Sequence, residues 1–133
     1  MTRKPIIAAA AAMAALLAPS LAAAHHSFAV FFDPDKVVRI KGTVKTFRFA
    51  NPHGTIVVGV PTQGGASRDW QIETSSPSVL SRRGWTRNTL HAGDEIAVEG
   101  WLARDGSRYL RLRQAYRADG KPVSGEAFSE VED

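Results

Sequence analysis

The chain has 133 residues, a formal net charge of +4 and no cysteine. That length suits a single domain. The lack of cysteine excludes disulfides and thiolate metal centres, so any metal is held by nitrogen and oxygen.

The first residues have the composition of an export signal. Arg3 and Lys4 form a short positive region, and residues 6–17 are an unbroken apolar run rich in alanine. Pro19 and Ser20 break the run, and Ala22-Ala23-Ala24 offers the small residues a signal peptidase requires. Residues 1–24 are therefore expected to be a cleaved secretory signal, which predicts a periplasmic protein. A membrane anchor is the other reading, but a span needs ~20 strongly apolar residues and this run is too short. No later segment is apolar enough to cross a bilayer, no cysteine marks a lipoprotein, and no Arg-Arg pair precedes the run. Cleavage after Ala24 removes two positive charges and lowers the net charge from +4 to +2. The mature domain is then only mildly basic.

The expected mature chain opens on His25-His26-Ser27-Phe28. Residues 29–32 are apolar and are expected to lie against the domain. Asp33-Pro34-Asp35-Lys36 reads as a turn, because proline fixes φ and aspartate accepts local backbone hydrogen bonds. A long first strand follows. Val38, Ile40, Gly42 and Val44 share one face, and Arg39, Lys41, Thr43 and Lys45 share the other. After Thr46 the apolar residues change parity to Phe47 and Phe49, which demands a bulge. Gly42 offers a place to bend. Asn51-Pro52-His53-Gly54 makes a turn, and residues 55–60 form a second strand with Ile56, Val58 and Val60 on one face.

Residues 69–74 read as a third strand with Trp70 and Ile72 inward. Ser76 suits an N-cap, Pro77 the first helical position and Gly84 a left-handed C-terminal residue, which predicts a short helix over 77–83. Residues 95–101 form a fourth strand with Ile96 and Val98 inward. Asp105-Gly106 signals a hairpin. Residues 109–116 form a fifth strand, with Leu110 and Leu112 inward and Arg111 and Arg113 outward. Residues 119–133 are acidic and weakly apolar, and are expected to be a loose tail.

Three strands, a short helix and two strands is the order of the oligonucleotide/oligosaccharide-binding (OB) barrel. The expected class is all-β: a small five-stranded OB-like Greek-key barrel over residues 25–118, with one short helix between strands 3 and 4. A small β-sandwich is the alternative, and the helix favours the barrel.

These residues resemble those of an uncharacterised family of small exported bacterial proteins. The resemblance runs from His25 to about Lys121. It rests on the His-His-Ser-Phe start, Gly42-Thr43-Val44, Asn51-Pro52-His53, Trp70-x-Ile72-Glu73, Ser76-Pro77, Gly84-Trp85-Thr86-Arg87, Gly93-Asp94 and Arg104-Asp105-Gly106. It implies export and the barrel fold, and it implies no activity.

The histidines are the first candidate site. After cleavage at Ala24, His25 carries an α-amine and an imidazole, two nitrogens that can chelate one metal. The imidazole of His53 would complete a near-planar N₃ set, which suits Cu(II). A different set uses the amine, the backbone nitrogen of His26 and its imidazole, and excludes the first. The bland alternative is two terminal histidines and a turn histidine bonded locally. Arg108, Arg111, Arg113 and Arg117 are a second candidate, a basic stripe near Trp101 and Tyr109. Such stripes hold single-stranded nucleic acid, but an exported, mildly basic domain makes a solvated strand face the expected reading, with no nucleic-acid partner.

Trp70, Glu73, Trp85 and Arg87 are a third candidate. They are able to line a pocket for a sugar or other small ligand, or else to serve as core and as a Glu73–Arg87 salt bridge. No serine stands in a nucleophile elbow and no glycine-rich phosphate loop follows a strand. The chain is not expected to be an enzyme unless bound copper does redox chemistry. The leading expectation is a periplasmic copper-binding protein using His25, His26 and His53. The alternative is a metal-free ligand-binding or interaction module with a periplasmic or membrane-protein partner.

Overall fold

The computed structural model describes residues 28–132. Residues 1–27, which include the expected signal segment, His25 and His26, lie outside the described residues, as does Asp133. Five strands are present: β1 (Phe32–Arg48), β2 (Thr55–Pro61), β3 (Ser67–Glu73), β4 (Glu95–Ala103) and β5 (Tyr109–Arg117). Helix α1 (Pro77–Arg82) lies between β3 and β4, and residues 28–31 are also helical. The strands close into a barrel in the order β1-β2-β3-β5-β4. All neighbours are antiparallel except β3 and β5, which run parallel. This is the expected five-stranded Greek-key barrel.

Closure depends on β1, which is 17 residues long and pairs with β4 along one edge and β2 along the other. The parity change in its sequence appears as a bulge. Val44 pairs with Val58 and Thr46 with Val57, so Lys45 is the extra residue. Gly42 does more than bend the strand. A Cβ there would collide with the carbonyl oxygen of Gly59, so only glycine lets β1 and β2 approach this closely.

The core follows the period-two pattern. Ile40, Val44, Ile56, Val58, Ile72, Ile96, Val98, Leu110 and Leu112 are buried, and Val79 and Leu80 of α1 join them. Trp70 is only half-buried and packs against the core edge. Gly84 has φ +84° and ends the helix as expected. Ser76 does not cap it: its hydroxyl lies 3.0 Å from that of Ser78 and makes no cap hydrogen bond.

Two segments depart from the sequence expectation. Residues 33–36 are not a separate turn but a distorted start of β1, with a register shift between Phe32 and Val37. The local bond from Asp35 N–H to Asp33 Oδ1 forms at 3.1 Å, yet Phe32 pairs with Ala103 and is buried, and that anchor keeps the segment on the sheet. Residues 119–132 are not loose. Val123 N–H donates to Ala115 O and Phe128 N–H to Arg113 O, both at 2.8 Å. Phe128 is 3% exposed and stacks edge-on against Trp85. One well-placed aromatic supplies the apolar area that the acidic composition hides.

A second, smaller core lies on the outside of the barrel. Phe32, Trp101 and Ala103 form it, with Phe28 and Tyr109 packed on top. Phe28 meets Trp101 edge-on at 5.3 Å, and Phe32 meets Tyr109 at 5.3 Å. These contacts hold the residues ahead of β1 against β4 and β5.

Candidate functional site

The site grows out of the parallel β3–β5 pairing. Its register places Ile72 beside Leu110 and Glu73 beside Arg111. Ile72 and Leu110 point into the barrel and are fully buried, so Glu73 and Arg111 point outward together. Tyr109 is two residues before Arg111 and shares its face. On the other side of β3, Glu73 pairs with Thr55 at the start of β2. His53 is two residues earlier, in the turn, which brings it to the same patch.

Side-chain bonds tie the patch together. Arg111 donates from Nη1 to Glu73 Oε1 at 2.7 Å and from Nη2 to the backbone oxygen of Glu132 at 2.9 Å. Tyr109 donates its hydroxyl to Glu73 Oε2. Arg111 Nη1 also lies 3.4 Å from His53 Nδ1. Both carboxylate oxygens of Glu73 are therefore engaged. Arg111 is only 4% exposed although it stands on an outer face. The Glu73 carboxylate and the carbonyl of Glu132 take its hydrogen bonds there. Burial pushes the Tyr109 phenol above its ordinary pKa, and the bond to Glu73 and its negative charge push it further.

Between these groups lies a cavity of about 340 Å³. Among the described residues, Phe28, Phe31, Phe32 and Tyr109 give it aromatic walls, and His53, Glu73 and Arg111 give it polar ones. Of the helical residues 28–31, Phe28 and Phe31 line it, and Phe31 is 63% exposed.

The structure brings together some of the residues singled out above and separates others. His53 and Glu73 both line the cavity. His25 and His26 fall outside the described residues, three and two positions before Phe28. Among the described residues no group of three His, Asp or Glu is placed to hold a metal. Trp85 is in the core against Phe47 and Phe128, and its Nε1 is buried with no hydrogen-bond partner among the described residues. Arg87 is exposed on the connector after α1. Glu73 pairs with Arg111 rather than with Arg87, because the β3–β5 register sets the two side by side. Nor is there a basic stripe on β5. Arg111 is buried and Arg113 bonds to Glu99 at 3.4 Å, which leaves Arg108 and Arg117 exposed at the two ends.

Sequence reasoning placed Arg111 in a basic stripe near Tyr109, with a solvated strand face as the expected reading, rather than in this site, and did not identify the three phenylalanines as cavity walls. A signal for Arg111 and Tyr109 was present. In a barrel of this order β3 and β5 are neighbours, so outward residues of β5 must face outward residues of β3. The phenylalanines carried no such signal, because their contacts join distant parts of the chain.

The profile of a family of unknown function (DUF6152) matches residues 12–111, and the chain belongs to that family. No curated protein matches the chain. Two similar solved structures are the ZRD-deleted mutant of TiaS in complex with agmatine and a complex of TiaS with an isoleucine tRNA and ATP. The first is 19% identical with a TM-score of 0.43, covering 73% of this chain and 24% of that one. The second is 20% identical with a TM-score of 0.42, covering 62% and 18%. This chain thus spans a quarter or less of each, and likeness at this level says nothing about function.

Proposed function

We propose that this member of the DUF6152 family is a periplasmic copper-binding protein. Its ligands are the α-amine and imidazole of His25 and the imidazole of His53, with His26 as the competing donor. One observation carries the reading: Phe28 and His53 line the same cavity. His25 is three residues before Phe28, and three residues reach at most ~11 Å. Signal cleavage after Ala24 would therefore leave a chelating amine within range of His53. The nitrogen donors suit Cu(II).

The cavity also sets a condition. His53 Nδ1 faces a guanidinium at 3.4 Å. Ligation through Nδ1 replaces that contact, and ligation through Nε2 puts a hydrogen on Nδ1 and turns the ring away from Arg111. Glu73 offsets the repulsion between Arg111 and a bound cation. The test is copper titration of protein whose first residue is His25. His53→Ala should weaken binding at least roughly tenfold, about the effect of one ligand-shell contact. One residue added before His25 should weaken it too. Equal affinity in His53→Ala removes His53 from the site. An exported mass that begins elsewhere than His25 removes the chelate.

A second reading is a metal-free periplasmic ligand-binding module. The aromatic walls and the closed Glu73–Arg111–Tyr109 bonding favour it. Pockets for small molecules are mostly apolar with a few placed polar groups. Binding of an organic ligand by copper-free protein tests this reading separately.

A further inference from the structure

We infer that the cavity takes an uncharged, flat ring compound carrying one hydrogen-bond acceptor. The inference gives a ligand class to the metal-free reading, rests on that reading, and applies to the copper-free protein.

Size comes first. The cavity of about 340 Å³ is at the lower end of the range for small-molecule sites, which suits a small ring compound and leaves no room for an oligosaccharide. The walls come second. Phe28 and Phe32 are tilted at 34° with centroids 5.6 Å apart, and Phe32 and Tyr109 at 43° and 5.3 Å. A flat ring entering among them finds both faces and edges to pack against. Phe31 lines the cavity and is 63% exposed, and a ring packed on it would cover apolar surface now in water.

Charge decides the rest. Glu73 has one oxygen on Arg111 and the other on Tyr109. Arg111 is bonded to Glu73 and to the Glu132 carbonyl. The Tyr109 phenol is held protonated by burial. An ionic ligand would lose its water here against groups whose charges are already matched, which is costly. His53 remains. The guanidinium is only ever a donor, so in the neutral ring whose Nδ1 accepts from it the hydrogen is on Nε2. That N–H is a donor on a residue lining the cavity, so the ligand supplies an acceptor.

The experiment uses the full mature chain with copper removed by a chelator, titrated by calorimetry with three probes. Acetophenone is neutral and flat and has one acceptor. Benzoate keeps the ring and adds a charge. Cyclohexyl methyl ketone keeps the acceptor and loses the flat ring. Acetophenone should bind at least roughly tenfold more tightly than either of the others, and His53→Leu should cost it about tenfold. Phe31→Ala, at an exposed position that folding does not need, should weaken it as well. Benzoate binding as tightly as acetophenone overturns the inference, as does failure of all three probes to bind. Failure of all three with copper binding intact leaves the metal reading standing. Acetophenone binding without any copper affinity removes the metal reading alone.

Discussion

Glu73 and Arg111 stand side by side across the parallel β3–β5 junction, and the guanidinium donates to the carboxylate at 2.7 Å. Both are on the outer face of the barrel, yet Arg111 is buried. On that face the guanidinium also donates to the carbonyl of Glu132, at the C-terminal end of the described chain. The pair therefore links the fold to the cavity: it joins the two strands and supplies two polar walls.

Removing one member should be far worse than removing both. Glu73→Leu leaves Arg111 buried beside a hydrophobe and should cost ~3–5 kcal/mol in urea unfolding. Adding Arg111→Met should recover a large part of that loss. A double variant no more stable than Glu73→Leu would show that the other bonds of Arg111, such as that to the Glu132 carbonyl, dominate.

Barrel closure should be sensitive at Gly42 and indifferent at Gly64. A Cβ at Gly42 collides with the Gly59 carbonyl, whereas one at Gly64 meets nothing within 4 Å. Gly42→Ala should cost ~1–3 kcal/mol as overpacking, and Gly64→Ala should change stability by less than about 0.5 kcal/mol. Ile72→Ala, which empties a fully buried site, should cost ~2–5 kcal/mol. Chemical denaturation of the three variants checks the order.

Alkali should weaken the fold through Tyr109. Its folded pKa is raised above the ordinary value of 10.0. The folded protein thus holds a proton that the unfolded chain has lost. Stability from this source is full below about pH 10 and falls as pH rises toward the folded value. Ultraviolet absorbance of the phenolate should show one late-ionising tyrosine in the native protein. Tyr109→Phe should abolish that late component and flatten the alkaline loss of stability.

Acid should release the C-terminal segment. Burial raises the Glu132 pKa, but the Ser129 N–H and the Arg83 guanidinium outweigh it, and the net shift is downward from 4.5. The folded carboxylate holds its proton less well than the unfolded one. Its contribution is present above about pH 4.5 and is lost as pH falls through the lowered value. Backbone amides of residues 122–132 should exchange faster at low pH. Phe128→Ala, which removes the buried anchor, should expose the same amides at neutral pH.

Copper affinity should rise with pH up to about 8. The α-amine of His25 must lose a proton to bind, and its reference pKa is ~7.7–8.0. A flat profile between about pH 6 and 8 would mean that the amine is not a ligand.

Local chemistry made much of the barrel legible. Period-two alternation assigned Ile56, Val58, Ile72, Ile96, Val98, Leu110 and Leu112 to the interior, because successive strand side chains must point to opposite faces. The parity change after Thr46 announced the bulge at Lys45. Pro77 and Gly84 bracketed α1, since each fixes a backbone state locally. His53 and Glu73 were identifiable by residue type, and both reached the cavity. What alternation cannot reveal is which outer face another segment covers. Arg111 had the pattern of a solvated residue and is buried, and the acidic tail had the composition of a loose end and is docked by Phe128. The Glu73–Arg111 pair exists only once β3 and β5 lie parallel and in register. The cavity exists only once Phe28 and Phe32 settle on Trp101 and Tyr109. Sequence by itself determined the strands, the helix and which faces are apolar, because those depend on neighbours along the chain. Tertiary structure alone decided the site, because its walls come from residues as far apart as Phe28 and Arg111, and only closure of the barrel sets their distance.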